Sequence, residues 1–340
     1  MDHPDIWVMN ADGTQIRNLT RDALGRNGDP VYSPDGRRIA FQAGANREGA
    51  TSNIYVMNAD GSGQQRVTND PTTSNDSHPS WSPDGSLIAF DRRNDQLQRT
   101  EIWAVQPDGS RERRLSASTG NDASPSWSPD GTRIAFSSTR DGNWEIYVMR
   151  ADGSGQVRVT ATPTRDEGEP SWSPDGTLLA YSAGRGSARD IYVANADGSS
   201  ERRVTQLARL VWRPRWSPDG SHIAFFEWPP AGGNLYTVNA DGSGLTRFFP
   251  SLSVVRFATS PKRPIAGRTF SAVLRVTGTG AEMSVTCRAN APLAGKSLTA
   301  GRARCTWRVP PGAKGKRLRG WVAVSELGTT VRRSFAARVG

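Results

Sequence analysis

The chain has 340 residues, a formal net charge of +10 and two cysteines, and apolar residues make up 35% of it. No apolar run approaches the roughly 20 residues that a transmembrane helix needs, so the composition excludes a helical membrane protein. Only three histidines are present, which leaves little material for a Ser-His-Asp constellation or a histidine-based metal site. The length is sufficient for one large domain and one small domain.

A four-residue turn motif, Ser-Pro-Asp-Gly, recurs through the first two thirds of the chain. Its five copies start at Ser33, Ser82, Ser128, Ser173 and Ser217. A second set of turns, each with an Asp-Gly pair, runs out of phase with the first at Asp12, Asp60, Asp108, Asp152, Asp197 and Asp241. A near-constant period of roughly 45 residues is typical of a blade-type repeat array.

Each repeat contains four short runs rich in Ile, Val, Phe, Tyr and Thr, separated by Gly, Pro, Asp and Ser, which predicts four antiparallel strands. No segment has a sustained 3.6-residue period, so we expect almost no helix. Pro and Gly suit the two central positions of tight turns, and we therefore interpret the turn aspartates as structural rather than catalytic. One aromatic position is expected to pack between blades, at Tyr32, Trp81, Trp127, Trp172 and Trp216.

Four segments recur in register: Trp-Ser-Pro-Asp-Gly, Ile-Ala-Phe, Ile-Tyr-Val-Met-Asn-Ala-Asp-Gly and Arg-Val-Thr. This pattern resembles the TolB-type WD-like propeller repeat over roughly residues 5–248. Propellers of prolyl oligopeptidase relatives carry similar repeats. The resemblance implies an all-β propeller that receives a partner peptide at the mouth of its central channel. We predict that this propeller occupies residues 1–257.

We expect a six-bladed ring in which the sixth blade is incomplete. Residues 5–9 and 15–20 correspond to the two outer strands of a blade, and five full repeats follow them. The only candidate for the missing inner half is Leu252–Ala258, which lacks the Ser-Pro-Asp-Gly turn. Residues 1–4 show no signal-peptide pattern, and truncation of a longer protein is an alternative.

Residues 258–340 predict a small, basic Ig-like β-sandwich. Five alternating segments lie here, and the segment resembles Ig-like domains appended to exported actinobacterial proteins. It carries a net charge of +14, against −4 for the preceding residues. A basic patch for anionic cell-wall polymers or lipid headgroups is predicted at Lys314, Lys316, Arg317 and Arg319. The alternative is an ordinary solvated face, and we do not expect nucleic acid as a partner of an exported chain.

The only two cysteines, Cys287 and Cys305, each lie inside a predicted strand of this basic segment. We expect them to form a disulfide, with two buried free thiols as the alternative. A disulfide indicates an exported protein of the periplasm, cell wall or extracellular space.

The loops between repeats vary in length and charge, and they should emerge on the face opposite the uniform turns. Variable loops on a rigid scaffold are the usual place for binding. We predict a protein- or peptide-binding surface at this face and at the channel mouth, with solvated loop charges as the alternative. The candidate residues are Asp29, Asp76, His78, Asp122, Asp166, Glu169 and Arg213.

Enzyme functions find little support in the sequence. No Gly-x-Ser-x-Gly nucleophile elbow is present, so a peptidase would survive only as the remnant of a peptidase-associated propeller. A metal-assisted polysaccharide lyase could use His78 with Asp76, Glu169 and Arg213. We predict no catalytic residues, no metal ligands and no cofactor, although calcium could bind carboxylates of the channel mouth without a recognisable loop.

Overall fold

The computed structural model describes residues 5–10, 15, 17–20, 25–44, 51–69, 75–94, 98–186, 188–207, 209–227, 234–247, 253–260, 269–277, 284–289, 293–299, 302–309, 313–314, 316–326 and 329–338. These residues contain no α-helix, and none of them forms a helix of the length and hydrophobicity that spanning a bilayer requires. The chain divides into two compact units. One comprises Met1–Val8 and Asn18–Arg247, and the other comprises Met9–Arg17 and Phe248–Gly340.

Five four-stranded antiparallel sheets form the first unit, and each is a meander of consecutive strands. Blade one contains β3 (Arg26–Tyr32), β4 (Arg38–Gly44), β5 (Ser52–Asn58) and β6 (Gln65–Arg66). Blade two contains β7 (Asn75–Trp81), β8 (Ile88–Asn94), β9 (Arg99–Val105) and β10 (Arg113–Arg114). Blade three contains β11 (Asp122–Trp127), β12 (Arg133–Ser138), β13 (Glu145–Arg150) and β14 (Val157–Arg158). Blade four contains β15 (Asp166–Trp172), β16 (Leu178–Arg185), β17 (Ala188–Asn195) and β18 (Arg202–Arg203). Blade five contains β19 (Val211–Trp216), β20 (His222–Glu227), β21 (Asn234–Asn239) and β22 (Thr246–Arg247).

The Ser-Pro-Asp-Gly turns join the first two strands of every blade. In blade one the Gly36 N–H donates to the Ser33 carbonyl at 2.8 Å, and Gly36 has a φ of 68°. The Ser33 hydroxyl donates to Asp35 at 2.6 Å and accepts the N–H of Arg38 at 2.9 Å. The hydrogen bond from Ser33 holds the pKa of Asp35 below its ordinary value. These hydrogen bonds give Asp35 a structural role in its turn.

The aromatic position at the end of the first strand joins neighbouring blades. Trp81 of blade two is buried against Ala40, Ile54 and Val56 of blade one. Its indole N–H donates to the carbonyl of Val31 in blade one at 3.3 Å. Trp172 and Trp216 donate in the same way to the preceding blade, at 3.0 and 3.2 Å. The prediction that this position packs between blades is confirmed for the four tryptophans. It is wrong for Tyr32 of blade one, whose side chain is 48% exposed.

The prediction of six blades is wrong, because the described residues form five. The N-terminal segments pair as β1 (Trp7–Val8) and β2 (Arg17–Asn18), a two-stranded sheet in the place of the predicted outer half. The predicted source of the inner half, Leu252–Ala258, does not join them. Its described residues belong to β23 (Ser253–Ser260), which pairs antiparallel with β24 (Thr269–Thr277) in the second unit. Hydrogen bonding to β24 engages one edge of β23 within the second unit.

The second unit is also all-β. Its four-stranded sheet has the order β23-β24-β27-β26, and its three-stranded sheet has the order β25-β28-β29. The remaining strands are β25 (Ser284–Ala289), β26 (Leu293–Thr299), β27 (Arg302–Arg308), β28 (Arg317–Glu326) and β29 (Thr329–Arg338). The predicted disulfide is confirmed: Cys287 of β25 is bonded to Cys305 of β27, so the bond links the two sheets.

Candidate functional site

Each innermost strand of the propeller carries a β-bulge at the same point. In blade one, for example, the register shifts between Gly28 and Val31 where β3 pairs with β4. The bulged residue in each blade has a φ of 50–59° and is followed by proline. These five residues are Asp29, His78, Ser124, Glu169 and Arg213. A bulge redirects a side chain that would otherwise follow the pleat, and a positive φ is uncommon outside glycine. Five equivalent backbones therefore present five different side chains.

The bulged N–H of one blade donates to a side chain of the preceding blade. The acceptor is a carboxylate in three of the four bonds and a hydroxyl in the other. The bonds run from His78 to Asp29 at 3.4 Å, from Ser124 to Asp91 at 2.7 Å, from Glu169 to Ser137 at 3.0 Å, and from Arg213 to Glu169 at 2.8 Å. This series of hydrogen bonds fixes the bulges relative to one another along the ring.

Asp91 is the best-buried carboxylate of this network, with 3% of its side chain exposed, against 27% for His78. It lies 2.8 Å from His78 Nδ1 and accepts the hydroxyl hydrogen of Ser77 at 2.5 Å. Burial opposes protonation of His78, but the charge of Asp91, its hydrogen bond and the charge of Asp29 outweigh that cost and raise the pKa of His78 to about 9. His78 is therefore a cation at neutral pH.

Arg213 connects blade five to blades one and two. Its guanidinium donates to Asp29, and its Nη2 lies 3.5 Å from His78 Nε2. Its Nε lies 3.9 Å from Glu169 Oε1. Two cations and three carboxylates thus form one continuous network, since Asp91 holds His78 and Asp29 lies between His78 and Arg213. We call Asp29, His78, Asp91, Glu169 and Arg213 the mouth network.

The structure places the seven predicted binding residues in two groups. Asp29, His78, Glu169 and Arg213 meet in the mouth network, whereas the other three have separate partners. Asp76 is fully buried and holds Arg92 through two bonds of 2.7 and 2.9 Å. Asp122 is equally buried and accepts hydrogen bonds from Ser138 and Arg140.

Asp166 is half-buried and accepts the N–H of Trp144 at 3.2 Å. The carboxylates of Asp76, Asp122 and Asp166 thus join strands of their own blades or neighbouring segments. They do not enter the mouth network.

Sequence reasoning missed Asp91, although comparison of the repeats contains its signal. The residue that follows the Ala-aromatic pair of each second strand is Gln42, Asp91, Ser137, Ser182 or Phe226. Asp91 is the only acid at this position. A residue that differs from its equivalents in the other repeats is therefore a candidate functional residue.

Within the described ranges, no group of three or more His, Cys, Asp or Glu side chains is arranged to hold a metal ion. Each carboxylate of the mouth network instead contacts an arginine, a histidine or a backbone N–H. The site can therefore offer hydrogen bonds and charges of both signs to a ligand.

These features define a β-propeller whose first strands carry a mixed-charge network at their bulges. Residues 1–123 and 98–261 match the TolB beta propeller domain, and the chain belongs to that family. Over 78 residues it is 40% identical to the Tol-Pal system protein TolB of Anaeromyxobacter dehalogenans. This alignment covers 23% of the chain and 16% of that relative, so the chain matches only a small part of the relative's length.

Two solved structures show the same fold. A putative TolB from Agrobacterium tumefaciens superposes with a TM-score of 0.63 at 23% identity, covering 72% of this chain and 88% of that one. An oligogalacturonate lyase from Vibrio parahaemolyticus superposes with a TM-score of 0.52 at 14% identity, covering 72% and 70%. At these identities the likenesses concern the fold alone.

Proposed function

We propose that this chain is a non-enzymatic propeller of the bacterial cell envelope that binds a protein or peptide at its variable-loop face and channel mouth. One observation carries the proposal: equivalent bulged backbones hold five different residues, with acidic, basic and neutral side chains, whereas the Ser-Pro-Asp-Gly turns repeat the same residues. Uniform turns serve the scaffold. A unique arrangement of charges gives the mouth the means to recognise one partner.

The mouth network suits a polypeptide ligand. His78 and Arg213 keep 27% and 31% of their side chains exposed, and Glu169 keeps 17%. A peptide backbone has both donors and acceptors, so a surface with exposed cations and a carboxylate can bond both. The charged groups are already held by their neighbours, which reduces the ordering cost of binding.

Site-specific photo-crosslinking in the native host tests this proposal. A benzoylphenylalanine is placed at Ser124, the uncharged bulged residue, or at Thr132 in the turn at the other end of the same hairpin. We expect a discrete crosslinked protein from position 124 and none from position 132. We also expect Arg213→Gln to weaken the crosslink at least fivefold, and Arg150→Gln, an exposed arginine near the opposite turns, to leave it unchanged. Equal crosslinking from both faces would contradict the proposal.

The second unit supports an envelope location in this proposal. Its disulfide favours an oxidising compartment, and the relative named above belongs to the Tol-Pal system. We assign its two sheets to an Ig-like sandwich. Lys314, Lys316, Arg317 and Arg319 are exposed, and this basic patch would contact anionic cell-wall polymers or lipid headgroups.

The competing lyase function makes an opposite prediction about metals. A lyase of the kind outlined from the sequence needs a bound divalent cation near His78, but Asp91 and Asp29 already engage both ring nitrogens of that histidine. We expect elemental analysis of the purified protein to find divalent ions well below one per chain. A stoichiometric ion that is lost in His78→Ala would favour the lyase and count against the binding propeller.

A further inference from the structure

The third strand of each blade begins beside the link to the next blade, and a hydrogen bond joins the two. In blades one to three, a backbone N–H near the start of the third strand donates to a side-chain oxygen at the start of the next blade. The bonds run from Ser52 to Asn75 at 3.1 Å, from Thr100 to Asn121 at 3.0 Å and from Trp144 to Asp166 at 3.2 Å. An asparagine or aspartate side chain thus holds each of these three links.

Blade four makes this link differently. Leu210, three residues before the bulge of blade five, occupies the acceptor position, and its side chain has no acceptor atom. The N–H of Arg189 donates instead to the backbone carbonyl of Arg209 at 2.9 Å, and the two residues form an antiparallel bridge. Residues directly opposite each other in such a bridge direct their side chains to the same face. The link therefore brings together two arginines, Arg189 and Arg209, which we call the arginine pair.

The arginine pair carries more positive charge than its surroundings balance. Like charges at opposite positions destabilise a strand pair, and the equivalents of Arg189 in blades one to three are uncharged: Ser52, Thr100 and Trp144. In the described part of the chain, Arg189 forms no ion pair. Arg209 donates to Glu227 and still keeps 64% of its side chain exposed. One carboxylate thus faces two guanidinium groups.

The arginine pair adjoins the mouth network. Nη1 of Arg189 lies 3.6 Å from the point that a Cβ on Gly168 would occupy, so the guanidinium lies against the first strand of blade four. The next residue, Glu169, is the bulged residue whose carboxylate accepts the N–H of Arg213 at 2.8 Å. A polypeptide bound at the mouth network can therefore contact Arg189 as well.

We infer that the arginine pair binds an acidic side chain of the partner polypeptide, beside the segment that the mouth network binds. This inference rests on the proposed function and names the chemistry of the partner. A guanidinium presents parallel N–H groups that match both oxygens of a carboxylate, and a carboxylate here also relieves the repulsion between Arg189 and Arg209. Because Glu169 lies next to the site, a polymer with a negative charge on every unit would be repelled. A single acidic residue in a polypeptide would not.

NMR of the arginine Nε–H groups in the ¹⁵N-labelled full chain tests this contact at a single residue. The Arg189 signal is assigned by its loss in Arg189→Lys, and hexaglutamate is the probe. We expect hexaglutamate to shift this signal saturably and hexaglutamine to leave it unchanged. The control is Arg150, an exposed arginine near the opposite turns, whose signal should move less than a fifth as far. Peptide bound to the basic second unit is observed at other signals.

Three results of this titration would overturn the inference. They are no shift of Arg189, an equal shift with hexaglutamine, and a larger shift with tripolyphosphate at equal charge concentration. The last result would identify a phosphate ligand instead of a carboxylate.

The crosslink from position 124 in the native host supplies a second measurement. We expect Arg189→Glu to weaken it at least fivefold, because the new carboxylate repels the acidic side chain. The matched charge reversal Arg150→Glu should leave it unchanged. Arg189→Gln removes the charge without introducing repulsion, and we expect an intermediate loss. Since Arg189 forms no ion pair among the described residues, both substitutions at this position should keep the thermal midpoint of the wild type.

The outcomes separate this inference from the proposed function. A crosslink that both Arg189→Glu and Arg189→Gln leave undiminished would overturn the role of the arginine pair and leave binding at the mouth intact. Absence of any crosslink in the wild type would count against the proposed function, whereas the NMR titration measures the arginine pair on the purified chain.

Discussion

Raising the pH from 6 to 10 is expected to lower the free energy of unfolding of the propeller by about 3 kcal/mol through His78 alone. Its pKa rises from 6.5 to about 9 on folding, so the folded chain binds the proton more tightly than the unfolded chain. The stabilisation is complete below pH 6.5 and is lost as the pH rises through 9. Urea unfolding at several pH values measures this dependence.

The control for this prediction is His222, an exposed histidine that lies beside a turn. His78→Gln should flatten the pH dependence between 6 and 10, and His222→Gln should leave it as in the wild type. NMR titration of Asp91→Asn should show a lower pKa for His78, because the carboxylate that holds the proton is removed. An unchanged His78 pKa in that variant would contradict the role given to Asp91.

Loss of the Cys287–Cys305 bond is expected to destabilise the second unit by about 3 kcal/mol, since the bond closes a loop over 18 positions. The bond also links the two sheets of that unit, and Cys305 is fully buried. In the Cys287→Ser, Cys305→Ser double variant we expect amide hydrogens of 293–309 to exchange about a hundredfold faster. Hydrogen-exchange mass spectrometry measures this change.

Peptides from blades two to four serve as the internal reference in the same experiment, and their exchange should not change. Equal acceleration in both units would mean that the bond stabilises the whole chain. No acceleration in residues 293–309 would show that sheet packing holds this unit without the bond. Either result would contradict the prediction.

Repetition made much of the fold predictable. Short strands, the Ser-Pro-Asp-Gly turns and the aromatic position between blades depend on residues that lie close together in the chain and recur five times. The blade count was not predictable in this way. It depended on whether Leu252–Ala258 pairs with the N-terminal strands or with a strand of the second unit. In the structure this segment pairs with β24. The alternation of apolar and polar residues along it is compatible with either pairing, so the sequence could not distinguish them.

The candidate site, too, was only partly predictable from the sequence. Variation among repeats pointed to Asp29, His78, Glu169 and Arg213, and the structure brings all four together. Asp76 and Asp122 vary too, but burial places them beside arginines of their own blades. Whether a carboxylate of the first strand joins the mouth network depends on its position relative to the bulge, which the sequence pattern did not reveal.

The sequence by itself determined the all-β repeat, the structural role of its turns, the cysteine pair and the concentration of positive charge in the last third of the chain. These follow from local turn chemistry, from period and from composition. Only the tertiary structure decided which carboxylate holds His78 and which aspartates are buried. Each of these depends on how strands pair within a blade and how blades pack on one another, which brings together residues 13 to 184 positions apart.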